Sequence, residues 1–188
     1  PFLQEAWEYI SSHFKKIGGY TNKRILEEIL QNCLFKLNEK TAHHVFRKLD
    51  DNTDAALLYN EKDNSIYNQL KKLLPKNITT ITVASPFFDE DGEVLLALLE
   101  LFPSAIVNVL LQGGCKMPPN KLKKNSRIYF YDFNLTTRGK NNSFGKFIYQ
   151  RNLHAKIFHF AADRMKFVMI GSANATIAAL GSNLTKPL

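Results

Sequence analysis

Two short stretches carry residue types that can do chemistry. The first is LHAKIFHF, residues 153–160, an aliphatic and aromatic run broken by a histidine, a lysine and a second histidine. Successive side chains of a strand point to opposite faces, so His154, Lys156 and Phe158 share one face and Ala155, Ile157 and His159 the other. Two basic groups on one face need a partner. The second stretch is GSANAT, residues 171–176. Gly171 and Ser172 turn the chain out of a strand, Ser172 can cap the next element, and Asn174 stands at the start of a predicted helix, NATIAAL. A helix start presents unpaired N–H groups and the positive end of a dipole, which together suit an anion. Groups that are or can become cationic, an amide and free donors therefore converge on a space suited to a phosphate.

The elements that must position these residues can be read from pattern. Leu3, Trp7, Ile10, Phe14 and Ile17 recur at helical steps, IGGYTN breaks the helix, and Ile25, Ile29, Cys33 and Leu37 resume the period. A third short helix is predicted after Asn38, with Ala42, Val45, Phe46 and Leu49 inward. It carries His43 and His44, which as helical neighbours diverge too far to share a metal and read as solvated or half-buried side chains. From AALLYN onward strands alternate with helices, which predicts α/β architecture: a mixed sheet flanked by helices and preceded by a small helical N-terminal segment. Strands are predicted at AALLYN, ITTITVAS, AIVNVLLQ, RIYFYDF, LHAKIFHF and FVMIGS, and helices at SIYNQLKKLLP, capped by Ser65, and GEVLLALLELF, ended by Pro103. Only the AADRMK turn separates the last two strands, so they form an antiparallel hairpin. The boundary falls in DDNTD, giving a helical segment over 1–54 and an α/β unit over 55–188.

Composition narrows the classes. The chain has 188 residues, 45% of them apolar, and a formal charge of +8. That is a globular composition with a core and an affinity for polyanions such as nucleic acid or an anionic membrane surface. No apolar run approaches a membrane span, and the start lacks the order of a signal peptide, so a soluble, cytoplasmic protein is expected. Cys33 and Cys115 have no metal-ligand spacing and read as reduced core residues. The chain opens on Pro1 and stops at SNLTKPL soon after a turn, so a piece of a longer protein is expected, with the α/β unit truncated at its C-terminus.

HAK, followed fifteen residues after the lysine by GSAN, resembles the His-x-Lys and Gly-Ser-x-Asn signature of the phospholipase D superfamily. The resemblance is nearest to the nuclease-like bacterial branch, where a strand end like SPFFDEDGE precedes the signature. It covers roughly residues 55–185 and implies the phospholipase D-like fold. It also implies a metal-independent, cofactor-free phosphodiesterase acting through a covalent phosphohistidine. By resemblance His154 is the nucleophile, Lys156 and Asn174 bind the phosphoryl oxygens, and Ser172 orients the site. An imidazole can attack phosphorus and leave again, and the lysine and amide then stabilise charge on the equatorial oxygens.

The chain departs from that pattern. The family's aspartate five positions after the lysine is Ala161 here, Asp163 lies in the turn, and the spacing from Lys156 to Gly171 is longer than usual. One His-x-Lys motif is present where the family builds a site from two, so the second is expected from a homodimer partner or from another half of a longer chain. His159 faces away from His154 and reads as a core or sheet-face histidine. The loop over 134–152 combines Arg138, Lys140, Lys146 and Arg151 with Phe144, Phe147 and Tyr149. That mixture of phosphate-binding and base-stacking groups suits nucleic acid, DNA before RNA, and equally suits a loop whose aromatics tuck into the core. Lys121, Lys123, Lys124 and Arg127 form a charge run of the kind that is usually a solvated face. Phe87, Phe88 and Asp89 end a strand where α/β folds place ligands, although phenylalanines there are more often core. Two other readings stay open, a non-catalytic nucleic-acid-binding module and a phospholipid phosphodiesterase or phosphatidyl transferase. The latter calls for an interfacial amphipathic helix or an anchor, and neither is seen. A role in bacterial defence or beside a helicase is what the resemblance suggests.

Overall fold

The structure, a computed structural model, describes residues 2–32, 43–111, 120–132 and 154–181. The chain forms two compact units that divide between Tyr59 and Asn60, whereas the sequence pattern sets a boundary at Asp50–Asp54.

In the first unit, helices α1 (Phe2–Ile17) and α2 (Tyr20–Asn32) are separated by Gly18 and Gly19 at φ of 70° and 92°. Glycine adopts those left-handed angles without a Cβ penalty, so the helix stops where the sequence predicts. The predicted third helix is absent over the described residues 43–49. His44 takes a left-handed φ of 55° and donates its backbone N–H to Glu5 at 2.7 Å, which a continuing helix would not allow. The two-residue strands β1 (Arg47–Lys48) and β2 (Asp54–Ala55) come next as an antiparallel pair. DDNTD is the turn between them, closed by Leu49 N–H on the Thr53 carbonyl at 2.9 Å. Val45, Phe46 and Leu49, expected to point inward, are exposed. AALLYN is a strand only at its first alanine, because the Leu57 carbonyl is engaged by the His44 imidazole at 3.1 Å and the Tyr59 ring packs against Tyr9. Glu5 is fully buried and also meets Arg47 Nε at 3.5 Å. His43 bridges the Tyr59 hydroxyl at 2.6 Å and the Glu8 carboxylate at 3.2 Å.

The second unit is α/β, a mixed sheet flanked by helices. Its strands are β3 (Thr80–Ala84), β4 (Ile106–Leu111), β5 (Ile128–Asp132), β6 (Ile157–Ala162) and β7 (Met165–Ile170), in the spatial order β5-β4-β3-β6-β7. The β3, β4 and β5 strands are parallel, while β6 runs antiparallel to both β3 and β7. Helix α3 (Ile66–Leu73) begins at Ser65, whose hydroxyl accepts from Asn68 N–H, and α4 (Glu93–Leu101) stops just ahead of Pro103. A short α5 (Asn120–Lys123) precedes β5.

Strand alternation divides the sheet into two faces. Ile81, Val83, Val107, Val109, Phe158 and Phe160 are buried on one face, where α4 lies against β4 and the Phe102 and Phe160 rings are 6.0 Å apart. Full burial of each such side chain is worth about 1.5–3 kcal/mol. On the opposite face, Thr82, Asn108 and His159 are half-buried and Tyr129, Tyr131, Ile157, Val168 and Ile170 are exposed. His159 is therefore a sheet-face histidine, paired in register with Thr82 and Val168. Among the described residues no helix is long and apolar enough to cross a membrane.

Candidate active site

Every group predicted to do chemistry and described in the structure lies at one edge of the sheet. The C-terminal ends of β3, β4, β5 and β7 and the N-terminal start of β6 meet there, as the strand directions require. Such carboxyl-end edges are where open α/β sheets hold ligands.

His154 and Lys156 stand just ahead of β6 rather than inside it. Ile157, the first residue of β6, pairs with Ala84 and Ile170, each the last of its own strand. The neighbouring strands have therefore run out, and Pro86 supplies no N–H to extend β3. Strand alternation consequently stops short of the pair, yet the two side chains meet. Lys156 Nζ donates to His154 Nδ1 at 3.3 Å and to the His154 carbonyl at 3.1 Å. His154 is exposed and Lys156 half-buried. An ammonium only donates, so in this contact Nδ1 serves as the acceptor.

The GSAN segment is held by a different device from the one predicted. The helix expected to start at Asn174 is α6 (Ile177–Leu180), and its cap is Thr176, whose hydroxyl accepts from Ala179 N–H at 3.3 Å. Ser172 is exposed and caps nothing that is described. The helix starts late because Ala175 is fixed to the end of β3. It forms a bridge with Phe88, and its N–H donates to the buried Ser85 hydroxyl at 3.1 Å. The helix-start donors are not free for an anion either. Ile177 N–H donates to Asp89 Oδ1 at 2.9 Å, and Val94 N–H, at the start of α4, donates to Asp89 Oδ2 at 3.3 Å. One carboxylate therefore complements the positive ends of two helices. Asn174 itself is half-buried, and its Oδ1 is enclosed with no hydrogen-bond partner among the described residues.

Ser85 and Asp89 are the residues that sequence reasoning missed as site-builders. A serine and an aspartate bracketing PFF at a strand end are a local signal for side-chain capping, but their partners lie 90 and 88 residues downstream. Phe87, next to them, is exposed at 64% rather than core.

The nucleic-acid candidates Arg138, Lys140, Phe144, Lys146 and Arg151, with Phe147 and Tyr149, lie outside the described residues, as do Cys33 and Cys115. Lys123 and Lys124 are exposed. Arg127 is tied to the Pro103 carbonyl at 2.6 Å, at the sheet edge opposite His154. Among the described residues no group of three or more His, Cys, Asp or Glu side chains is arranged to hold a metal ion.

No family model matches the chain, and neither does any curated protein. Among solved structures the chain is similar to yeast tyrosyl-DNA phosphodiesterase, with 12% identity, a TM-score of 0.38, and coverage of 73% of this chain and 28% of that one. A mutant form of yeast tyrosyl-DNA phosphodiesterase 1 gives 14% identity, the same TM-score of 0.38, and coverage of 60% and 25%. The chain thus spans about a quarter of the length of the solved structures it matches.

Proposed function

We propose that the α/β unit is a phosphodiesterase of the phospholipase D type, cleaving nucleic acid, DNA before RNA, through a covalent phosphohistidine and without a metal. The observation that carries this reading is the contact of His154 with Lys156 at the sheet edge where Ser85 and Asp89 pin the GSAN turn. An imidazole lone pair, an ammonium and a carboxamide on one sheet edge are the groups a phosphoryl transfer needs.

In the proposed reaction, an incoming phosphodiester draws the Lys156 ammonium from the imidazole onto a phosphoryl oxygen, and Asn174 donates its amide hydrogens to another. Freed of that contact, an imidazole nitrogen of His154 attacks phosphorus as the bond to the leaving oxygen breaks. The leaving oxygen takes a proton from the histidine of a second motif, supplied by a dimer partner or a further half of the protein. Proton donation of this kind contributes about 10²–10⁴ in rate. Water, deprotonated by that same second histidine, then attacks the phosphohistidine, the N–P bond breaks and His154 is regenerated. Ser172, exposed beside Gly171, orients a phosphoryl oxygen.

The test is incubation of the full-length protein, and of its His154→Ala variant, with labelled single- and double-stranded DNA in EDTA. Cleavage that survives chelation, is lost in the variant and leaves an acid-labile phosphoryl group on the protein when quenched supports the enzyme. Tight DNA binding with no cleavage in either protein makes it a binding module instead.

A further inference from the structure

A cleft of about 370 Å³ lies along α3, away from the catalytic edge, lined by Asp63, Asn64, Asn68, Lys71, Lys72 and Lys76. Three exposed lysines line it against one aspartate, and among the described residues none of the three lysines has a hydrogen-bond or ion-pair partner. The C-terminal dipole of α3 accounts for cations at Lys71 and Lys72, which occupy its last turn. It does not account for Lys76, past the helix end, turning toward the same cleft. Asn68 adds an amide with no side-chain partner among the described residues. Three cations against one carboxylate, next to an unused amide, are what a polyanion neutralises.

The cleft is connected to the catalytic edge through packed elements. Asn60 Nδ2 donates to the Ala179 carbonyl of α6 at 2.9 Å, and Gly181, just past α6, lies against the Ser65 side chain at the start of α3. Gly181 has a φ of 119°, and a Cβ there would collide with Ser65.

We infer that the α3 cleft is a second contact for the nucleic-acid strand, binding its phosphodiester backbone away from the scissile phosphate through Lys71, Lys72 and Lys76. The inference rests on the nucleic-acid reading above. It gives the protein a preference for long substrates over short ones that the catalytic edge alone does not supply.

The test uses the full chain with Lys71, Lys72 and Lys76 all changed to Ser, and a second variant with all three changed to Arg. Binding of labelled 20-nucleotide and 6-nucleotide strands is measured across a salt series, beside turnover of bis(p-nitrophenyl) phosphate. Each phosphate contact contributes about 0.7–0.9 to the slope of log affinity against log salt, so the serine variant loses about 2–3 from the slope and about tenfold in affinity for the 20-mer. Its 6-mer affinity and small-diester turnover are unchanged, and the arginine variant binds like the parent. An unchanged 20-mer slope overturns the inference, as does an equal loss for both lengths. Displacement of the 20-mer from the parent, and not from the serine variant, by millimolar inorganic phosphate overturns it in favour of a small-anion site. If the parent fails to turn over the small diester while the lysine effect persists, the catalytic reading falls and the cleft stands.

Discussion

Replacing Asp89 with alanine tests whether the GSAN turn is positioned by a long-range cap. The carboxylate accepts from Ile177 N–H at 2.9 Å and from Val94 N–H at 3.3 Å. Each is a helix-start donor with no partner inside its own helix. Loss of one such cap costs about 0.5–2 kcal/mol, so removing both costs about 1–4 kcal/mol, the shorter bond taking the larger share. Against a total stability of about 5–15 kcal/mol the variant still folds. The loss is directional: α6 and the turn ahead of it are released from the β3 end, while the sheet ladders stay intact. A displacement of about 1 Å at a reacting group can cost about 10²-fold in rate, and Asn174 is three residues before Ile177. Urea denaturation gives the stability term, and hydrogen exchange at the Ile177 and Val94 amides tests the location. Asp89→Asn, which keeps one acceptor oxygen, falls between parent and alanine. A stability loss below about 0.5 kcal/mol, with both amides as protected as in the parent, would refute the capping argument.

Two further substitutions probe independent parts of the molecule. Ser85→Ala leaves the Ala175 N–H buried without its acceptor, an expected loss of about 1–3 kcal/mol that thermal denaturation will read and that a Ser85→Thr variant should partly restore if the hydroxyl is the cause. Glu5→Ala strips a fully buried carboxylate from Arg47 and from the His44 N–H. It should destabilise the first unit by about 3–5 kcal/mol, seen as lost near-ultraviolet signal from Trp7 with the second unit still folded.

Legibility in the sequence tracked the range of each interaction. The α1–α2 break, the Ser65 cap, the Pro103 stop and the β6–β7 hairpin rest on contacts a few residues apart, and all are present where pattern put them. The third helix failed because its fate was decided far away: Glu5, 39 residues upstream, takes the His44 N–H. Ser172 had the right residue type for a cap and the wrong position, since the bridge from Ala175 to Phe88 delays helix α6. His154 and Lys156 meet outside the strand, because strand length is fixed by neighbours that no local pattern reveals. Asp89 was visible as a residue at a strand end. Its service to two helices depended on a fold not yet built.

The spatial order β5-β4-β3-β6-β7 also governs how the polypeptide assembles as it leaves the ribosome. The central strand acquires its second neighbour only when residues 157–161 emerge, 77 residues or more after Thr80. Until then β3, β4 and β5 form a three-stranded intermediate in which β3 is a raw border, open to pairing with another nascent chain. Completion of β6 thus brings in the segment bearing His154 and closes that border in the same event, so a truncation upstream of residue 154 leaves the border open and removes the His154–Lys156 pair together.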